Sequence, residues 1–293
     1  MKKLVIISII LILLVGCSDH SQEDYQRALE RTERIEQESF KFFLNMDTEI
    51  ETNTLTPNQQ RIGSVLKTLG LTVEGAVDHL RHERTQDIHL SLSGSGLNFD
   101  YYEQEDDLKV KVPFVKEYVS LDAWANMTRD LEVLWQSSLK VEKVDKKETG
   151  LIEMPDGKVK VTRYEVMLSE TSLHDFLQSL VNLGFKRLEA VGMDLDAKED
   201  VLEVLPLLSI DSFEYEVFVA ADDYIVKEIL RFNISVPEAY NDYIKYSSLR
   251  IERNRYKLNE DQMIERPNFD ESNTITVEVL KEKLKEILSP YAS

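Results

Sequence analysis

Residues 88–113 read IHLSLSGSGLNFDYYEQEDDLKVKVP. Ile88, Leu90 and Leu92 alternate with polar residues. Leu97, Phe99 and Tyr101 do the same, and so do Leu108, Val110 and Val112 before Pro113. A period of two belongs to a strand with one buried face. The breaks between the runs, Gly94-Ser95-Gly96 and Asp106-Asp107, are turn formers. Strands linked so briefly pair antiparallel, because a parallel pair needs a crossover of about a dozen residues.

The same period extends upstream. In Ser39–Glu51, Phe40, Phe42, Leu44, Met46, Thr48 and Ile50 alternate with mostly polar residues, Phe43 being the exception. Leu71, Val73 and Val77 make another run, and Asn58–Leu69 reads as a short helix or loop. Before them Tyr25–Glu38 has the helical period, with Tyr25, Ala28, Leu29, Thr32 and Ile35 on one face. Downstream, Met127, Leu131, Leu134 and Trp135 predict a helix over 126–139. The charge-rich Lys140–Gly150 reads as a surface connection and as the candidate boundary between two halves. Asp156-Gly157 reads as a hairpin turn into a strand ending near Leu168. Ser172–Asp175 resembles a helix capping box, with Gly184 suited to the position after the helix. Phe213, Tyr215, Val217 and Val219 resume alternation, as do Leu230, Phe232, Ile234 and Val236, then Tyr243–Leu258. Val277, Leu280, Leu284 and Ile287 predict a closing helix. Strands in consecutive sets, not β-α-β alternation, predict an α+β fold with a mainly antiparallel sheet and helices on one face.

The amino terminus has a different logic. Lys2 and Lys3 precede an uncharged apolar stretch, Leu4–Gly16, too short for a bilayer span of about 20 residues. It suits the core of a signal peptide. It ends Leu14-Val15-Gly16-Cys17, with the chain's one cysteine, and resembles the lipobox of bacterial lipoproteins. That resemblance implies a diacylglyceryl thioether on Cys17, cleavage between Gly16 and Cys17 and, often, acylation of the new amino group, with palmitate as the expected acyl chain. Residues 1–16 are then a signal peptide, 17–24 a lipidated tether and 25–293 a single domain. Two acyl chains suffice for stable anchoring, so the expected place is the extracytoplasmic face of the cell membrane.

The formal charge of −19 and the 42% hydrophobic content describe an acidic, core-forming chain. Such a surface excludes nucleic acid as a partner and is repelled by anionic lipid head groups. Solubility is the plain reading of the charge and a cationic partner or a metal-ion atmosphere the sharper one; an interaction protein would offer this acidic face to an envelope partner.

The lipobox, the phenylalanine-rich first strand, the meander quoted above and the later FEYEVFVAADDYIVKEILRFNISV (213–236) together resemble the LolA-like and LppX-like lipoproteins. The resemblance implies a strongly curved antiparallel sheet, a half-barrel, packed around helices over an apolar cavity that takes acyl chains. Phe40, Phe42, Leu44, Met46, Phe99, Tyr101, Phe213, Tyr215 and Phe232 are the candidate lining, since all could face one side. An ordinary filled core places the same residues on the same face. The two readings are therefore a binder of a lipid or acylated molecule, and an interaction or sensory lipoprotein with a solid interior.

Catalytic chemistry has little to stand on. His79, His82 and His89 cluster in sequence with Glu83 and Asp87, and His79 could face His89 across a hairpin, but a metal site needs convergent ligands. Asp106-Asp107, Asp222-Asp223 and Glu199-Asp200 fall where turns and helix starts favour acids. Asp194–Asp200 lacks calcium-loop spacing. No phosphate loop or nucleophile elbow occurs. The reading is a non-enzymatic protein without metal or cofactor.

Overall fold

The computed structural model describes residues 20–50, 60, 67–121, 125, 127–138, 140–190, 198–237, 244–270 and 272–288. Cys17 and the segment before it lie outside them, as do most of Asn58–Leu69 and part of Asp194–Asp200.

The alternation that begins at Phe40 builds the central strand, β1 (Gln37–Ile50). On one side follow β2 (Thr68–Asp78), β3 (Glu83–Leu92), β4 (Ser95–Gln104), β5 (Asp107–Lys111), β6 (Tyr118–Ser120) and the two-residue β12 (Thr274–Ile275). On the other side come β11 (Ile244–Tyr256), β10 (Ile225–Ser235), β9 (Ser209–Ala220), β8 (Gly157–Leu168) and β7 (Val141–Met154). All 12 strands among the described residues belong to one sheet. Every ladder is antiparallel except β6/β12. The sheet is open, with β12 and β7 as its edges. The fold is α+β, as the grouping of strands predicts.

Among the described residues five α-helices accompany the sheet: α1 (Ser21–Thr32), α2 (Met127–Ser138), α3 (Glu170–Ala190), α4 (Lys198–Val204) and α5 (Val277–Leu288). Tyr25 and Ala28 of α1 and Leu173 of α3 are buried with Val144, Tyr164, Val166, Val217, Leu230 and Phe232 of the sheet. Trp135 of α2 joins them edge-on to Phe176 and Tyr215. A second cluster, Tyr101, Leu108 and Val110 under Ala125, fills the β4/β5 end. The opposite face is a charged ladder. Arg231 reaches Glu214 and Glu216, Arg163 reaches Glu216, and Lys227 reaches Glu252. These pairs range from exposed to part-buried and keep that face polar.

Register carries one row straight across the inner face. Phe99 lies opposite Ile88, Ile88 opposite Val73, and Val73 opposite Phe42. Phe42 lies opposite Arg253, Arg253 opposite Glu228, Glu228 opposite Val217 and Val217 opposite Tyr164. In the neighbouring row Gly75 sits between Phe40 and Gln86. A Cβ there would stand 2.1 Å from the Thr85 carbonyl oxygen, so only glycine fits.

Several boundaries differ from the sequence reading. Helix α1 starts at Ser21 and stops at Thr32, not Glu38, so the polar tether is shorter than residues 17–24. Thr32 Oγ1 donates to Ala28 O and accepts from Ile225 N, which pins the helix end to β10. Residues 141–154 are strand β7, not a surface connection. Val144 points into the core while Lys143, Asp145 and Lys147 pair outside it, the charged pattern of a protected edge. Helix α3 is capped by Ser169, whose Oγ accepts from Ser172 N, and it continues through Gly184. The turns are Ser93-Gly94 and Glu105-Asp106, one residue earlier than the sequence places them.

Candidate functional site

The cross-sheet row changes character at β11, where Arg253 and Glu228 follow the phenylalanine of β1. Arg255 lies opposite Phe40. A further row runs Glu38, Val77, Arg84, Glu103. Thus Glu38, Arg84, Glu103, Glu228, Arg253 and Arg255 all occupy the parity that elsewhere carries apolar side chains. All but the half-buried Arg253 are buried, Glu38 to 2% exposure.

Buried charges are tolerated only when paired and hydrogen-bonded. Here three guanidinium groups meet three carboxylates. Arg255 Nη1 donates to Glu228 Oε2 at 2.6 Å, and its Nε lies 3.5 Å from Glu38 Oε2. Arg253 Nη2 donates to Glu38 Oε1 at 3.1 Å. Tyr215 donates its hydroxyl to Glu228 Oε1, and Tyr101 to Glu103 Oε2, each at 2.6 Å. Burial would raise the Glu228 carboxyl, but Arg255 and Arg253, with the Tyr215 hydrogen bond, hold it below the usual carboxylate range. Burial, with the nearby Glu228 charge, pushes the Tyr215 hydroxyl well up.

Two adjoining cavities open on this layer. The inner one, about 230 Å³, has Phe40 and Phe42 of β1, Leu71 and Val73 of β2, Leu230 and Ile251 of β10 and β11, and Leu131 of α2 on its walls. The outer one, about 780 Å³, carries Glu38, Glu103 and Arg255 together with Tyr25, Leu29 and Ile35. Val77, Arg84, Trp135, Glu228 and Arg253 line both. The outer volume lies within the range of small-molecule sites.

The predicted lining residues divide. Phe40 and Phe42 reach the inner cavity, and Tyr215 reaches the outer one. Leu44 and Met46 follow on the same strand face, opposite Ile251 and Leu249, but line neither cavity. Phe213 and Phe232 face each other in the filled core, and Phe99 and Tyr101 belong to the β4/β5 cluster. Phe43 points to the other face, where the Lys41 ammonium sits 5.4 Å from its ring centre. His79 lies in the β2–β3 turn while His89 pairs with Thr72, so the two do not meet. Among the described residues no group of three or more His, Cys, Asp or Glu could hold a metal. None of the described helices is long and apolar enough to cross a membrane.

The charged layer escapes the sequence reading, although its signal is present. Glu38 keeps step with Phe40 and Phe42, Glu228 with Leu230 and Phe232, Arg253 and Arg255 with Leu249 and Ile251. A charge on the apolar parity of a strand marks a buried polar site.

No protein-family model matches the chain, and no curated protein does. Among solved structures, an uncharacterized conserved protein from Thermus thermophilus is similar at 11% identity over 86% of this chain and 98% of that one. Its TM-score is 0.30, a likeness too slight to bear on function.

Proposed function

We propose that the chain is a lipoprotein anchored through Cys17 on the extracytoplasmic face of the membrane, and that it holds a lipid or acylated molecule between sheet and helices without chemical conversion. In this reading the open sheet is the half-barrel that the LolA-like and LppX-like resemblance implies. The supporting observation is the inner cavity: aromatic and aliphatic walls from β1, β2, β10, β11 and α2 meet without filling the space between them. An apolar pocket with a few polar groups at one end is the usual form of a small-ligand site.

The test is lipid analysis of the full chain purified from membranes. Wild type is compared with Val73→Phe, which narrows the cavity and leaves Cys17 in place. A lipid held in stoichiometric amount by wild type and lost from the variant is expected. Equal lipid in both would remove the cavity from the account and leave a solid protein that works through partners. Incorporation of labelled palmitate, abolished by Cys17→Ala, tests the anchor separately.

A further inference from the structure

We infer that the molecule docks on the bilayer by the β7 edge of its sheet: the β7–β8 hairpin lies on the membrane surface and the β5–β6 side stands away from it. This rests on lipidation of Cys17. Three residues, Ser18–His20, separate Cys17 from Ser21. Fully extended, the four steps from Cys17 to Ser21 span at most about 14 Å. The far end of that span is fixed. Ser21 is buried, and its Oγ accepts from the backbone N–H of Lys146 on β7 at 3.2 Å. One helical turn on, Asp24 accepts from Lys146 Nζ at 2.9 Å and lies 3.5 Å from the Tyr164 hydroxyl of β8. The start of α1 is therefore clamped to the outermost pair of strands. An acyl anchor on Cys17 enters the bilayer within that short reach of them.

Charge is compatible with the same side. The chain as a whole carries −19, but residues 141–168 hold six Lys and Arg against six Asp and Glu. Cations of the hairpin are paired, Lys143 with Asp145, Lys147 with Glu165 and Arg163 with Glu148. A balanced hairpin is not drawn to anionic lipid, but it escapes the repulsion that an acidic surface meets at the head groups. The tether, not charge, holds the edge in place. The hairpin also borders the outer cavity, where Val141 of β7 and Leu168 of β8 share the wall with Tyr25 and Leu29 of α1. Docking by this edge brings that wall to the membrane, the source of an apolar ligand.

Two exposed residues flank the clamp along the hairpin: Leu151 on β7, and Met167 on β8 opposite Lys143. At the rise of a strand both lie within about 17 Å of Lys146. Phe114, exposed in the link between β5 and β6, marks the other side of the sheet. Leu151→Cys, Met167→Cys and Phe114→Cys are each made in the full chain. A thioether-linked Cys17 has no free thiol, so bimane labels the introduced cysteine alone. The labelled proteins are reconstituted in phosphatidylcholine vesicles containing a lipid with a nitroxide head group, which quenches at contact range. Quenching at positions 151 and 167, with none at 114, is the expected result. Equal quenching at all three, or more at 114 than at the other two, would overturn docking by this edge. Quenching at none of the three in vesicle-bound protein would overturn it as well, and disulfide cross-linking of Leu151→Cys between copies would then give the edge to a second copy. Bimane labelling of Cys17 in the wild-type protein would overturn the lipid anchor itself, a failure distinct from a wrong orientation of anchored protein.

Discussion

Arg255 on β11 donates to Glu228 on β10 across 2.6 Å, in a layer of charged residues on a face that elsewhere carries aliphatic and aromatic groups. The pair sits where an apolar layer would pack at lower desolvation cost, because removing both ions from water is only partly offset by their attraction. Glu228 lines both cavities and Arg255 only the outer one, so the sheet stays polar where the two cavities adjoin.

Glu228→Gln should destabilise the protein by about 3–5 kcal/mol, because it removes the nearer anion of buried Arg255 and leaves Glu38 alone to face both Arg253 and Arg255. Urea unfolding at pH 7 measures this. A loss near zero would mean that Arg255 reaches water in the native state.

Acidification should act through the same carboxyl. Its native pKa lies below the ordinary 4.5. Between the native and unfolded values the unfolded chain binds more protons, so stability rises with pH there. The Glu228 contribution is complete above about pH 4.5 and fades as pH falls through the native value. Wild type should lose stability from pH 5 downward, by about 1.4 kcal/mol for every pH unit that separates the native from the unfolded pKa. Glu228→Gln should show a shallower slope over the same range. Parallel slopes would assign the acid sensitivity to other lowered carboxyls, such as Glu216 and Glu252.

Phe232 and Phe42 separate core from cavity. Phe232 is buried opposite Phe213, and truncation to alanine should cost about 3–5 kcal/mol. Phe42 is half-buried beside the inner cavity, so Phe42→Ala should cost less in urea unfolding and more in lipid retention. The reverse order would identify the space beside Phe42 as ordinary packing.

The strands are legible in the sequence because each keeps a strict alternation. Ile88 to Val112 lands in β3, β4 and β5 almost residue for residue, though Val112 falls just past the end of β5. The β7 edge is not legible, because Val141–Gly150 carries charges on nearly every outward position and has only Val141 and Val144 facing in. Helix α1 reads too long because Ile35 keeps the helical period while belonging to the link into β1. Alternation names the face of a residue but not what fills the space above it. Phe40 and Phe232 have the same pattern, and only the tertiary position of α2 makes one a cavity wall and the other core. Strand order, with β1 between β2 and β11, also comes from no local signal, since β1 and β11 are distant in sequence.

Gly75 offers the sharpest test of the sheet register. A methyl group there meets backbone, the Thr85 carbonyl oxygen at 2.1 Å and Gln86 Cα at 3.0 Å, so no side-chain rotation relieves the clash. Gly75→Ala should therefore destabilise by roughly 1–3 kcal/mol as β2 and β3 move apart. Gly150 on β7 has nothing within 4 Å of a built Cβ. Gly150→Ala should leave stability within about 0.5 kcal/mol of wild type. Thermal or urea unfolding of the two variants side by side decides the matter. A neutral Gly75→Ala would mean that β2 and β3 pair in another register. In that case Val73 would leave its place beside Phe42, and the inner cavity would lose a wall.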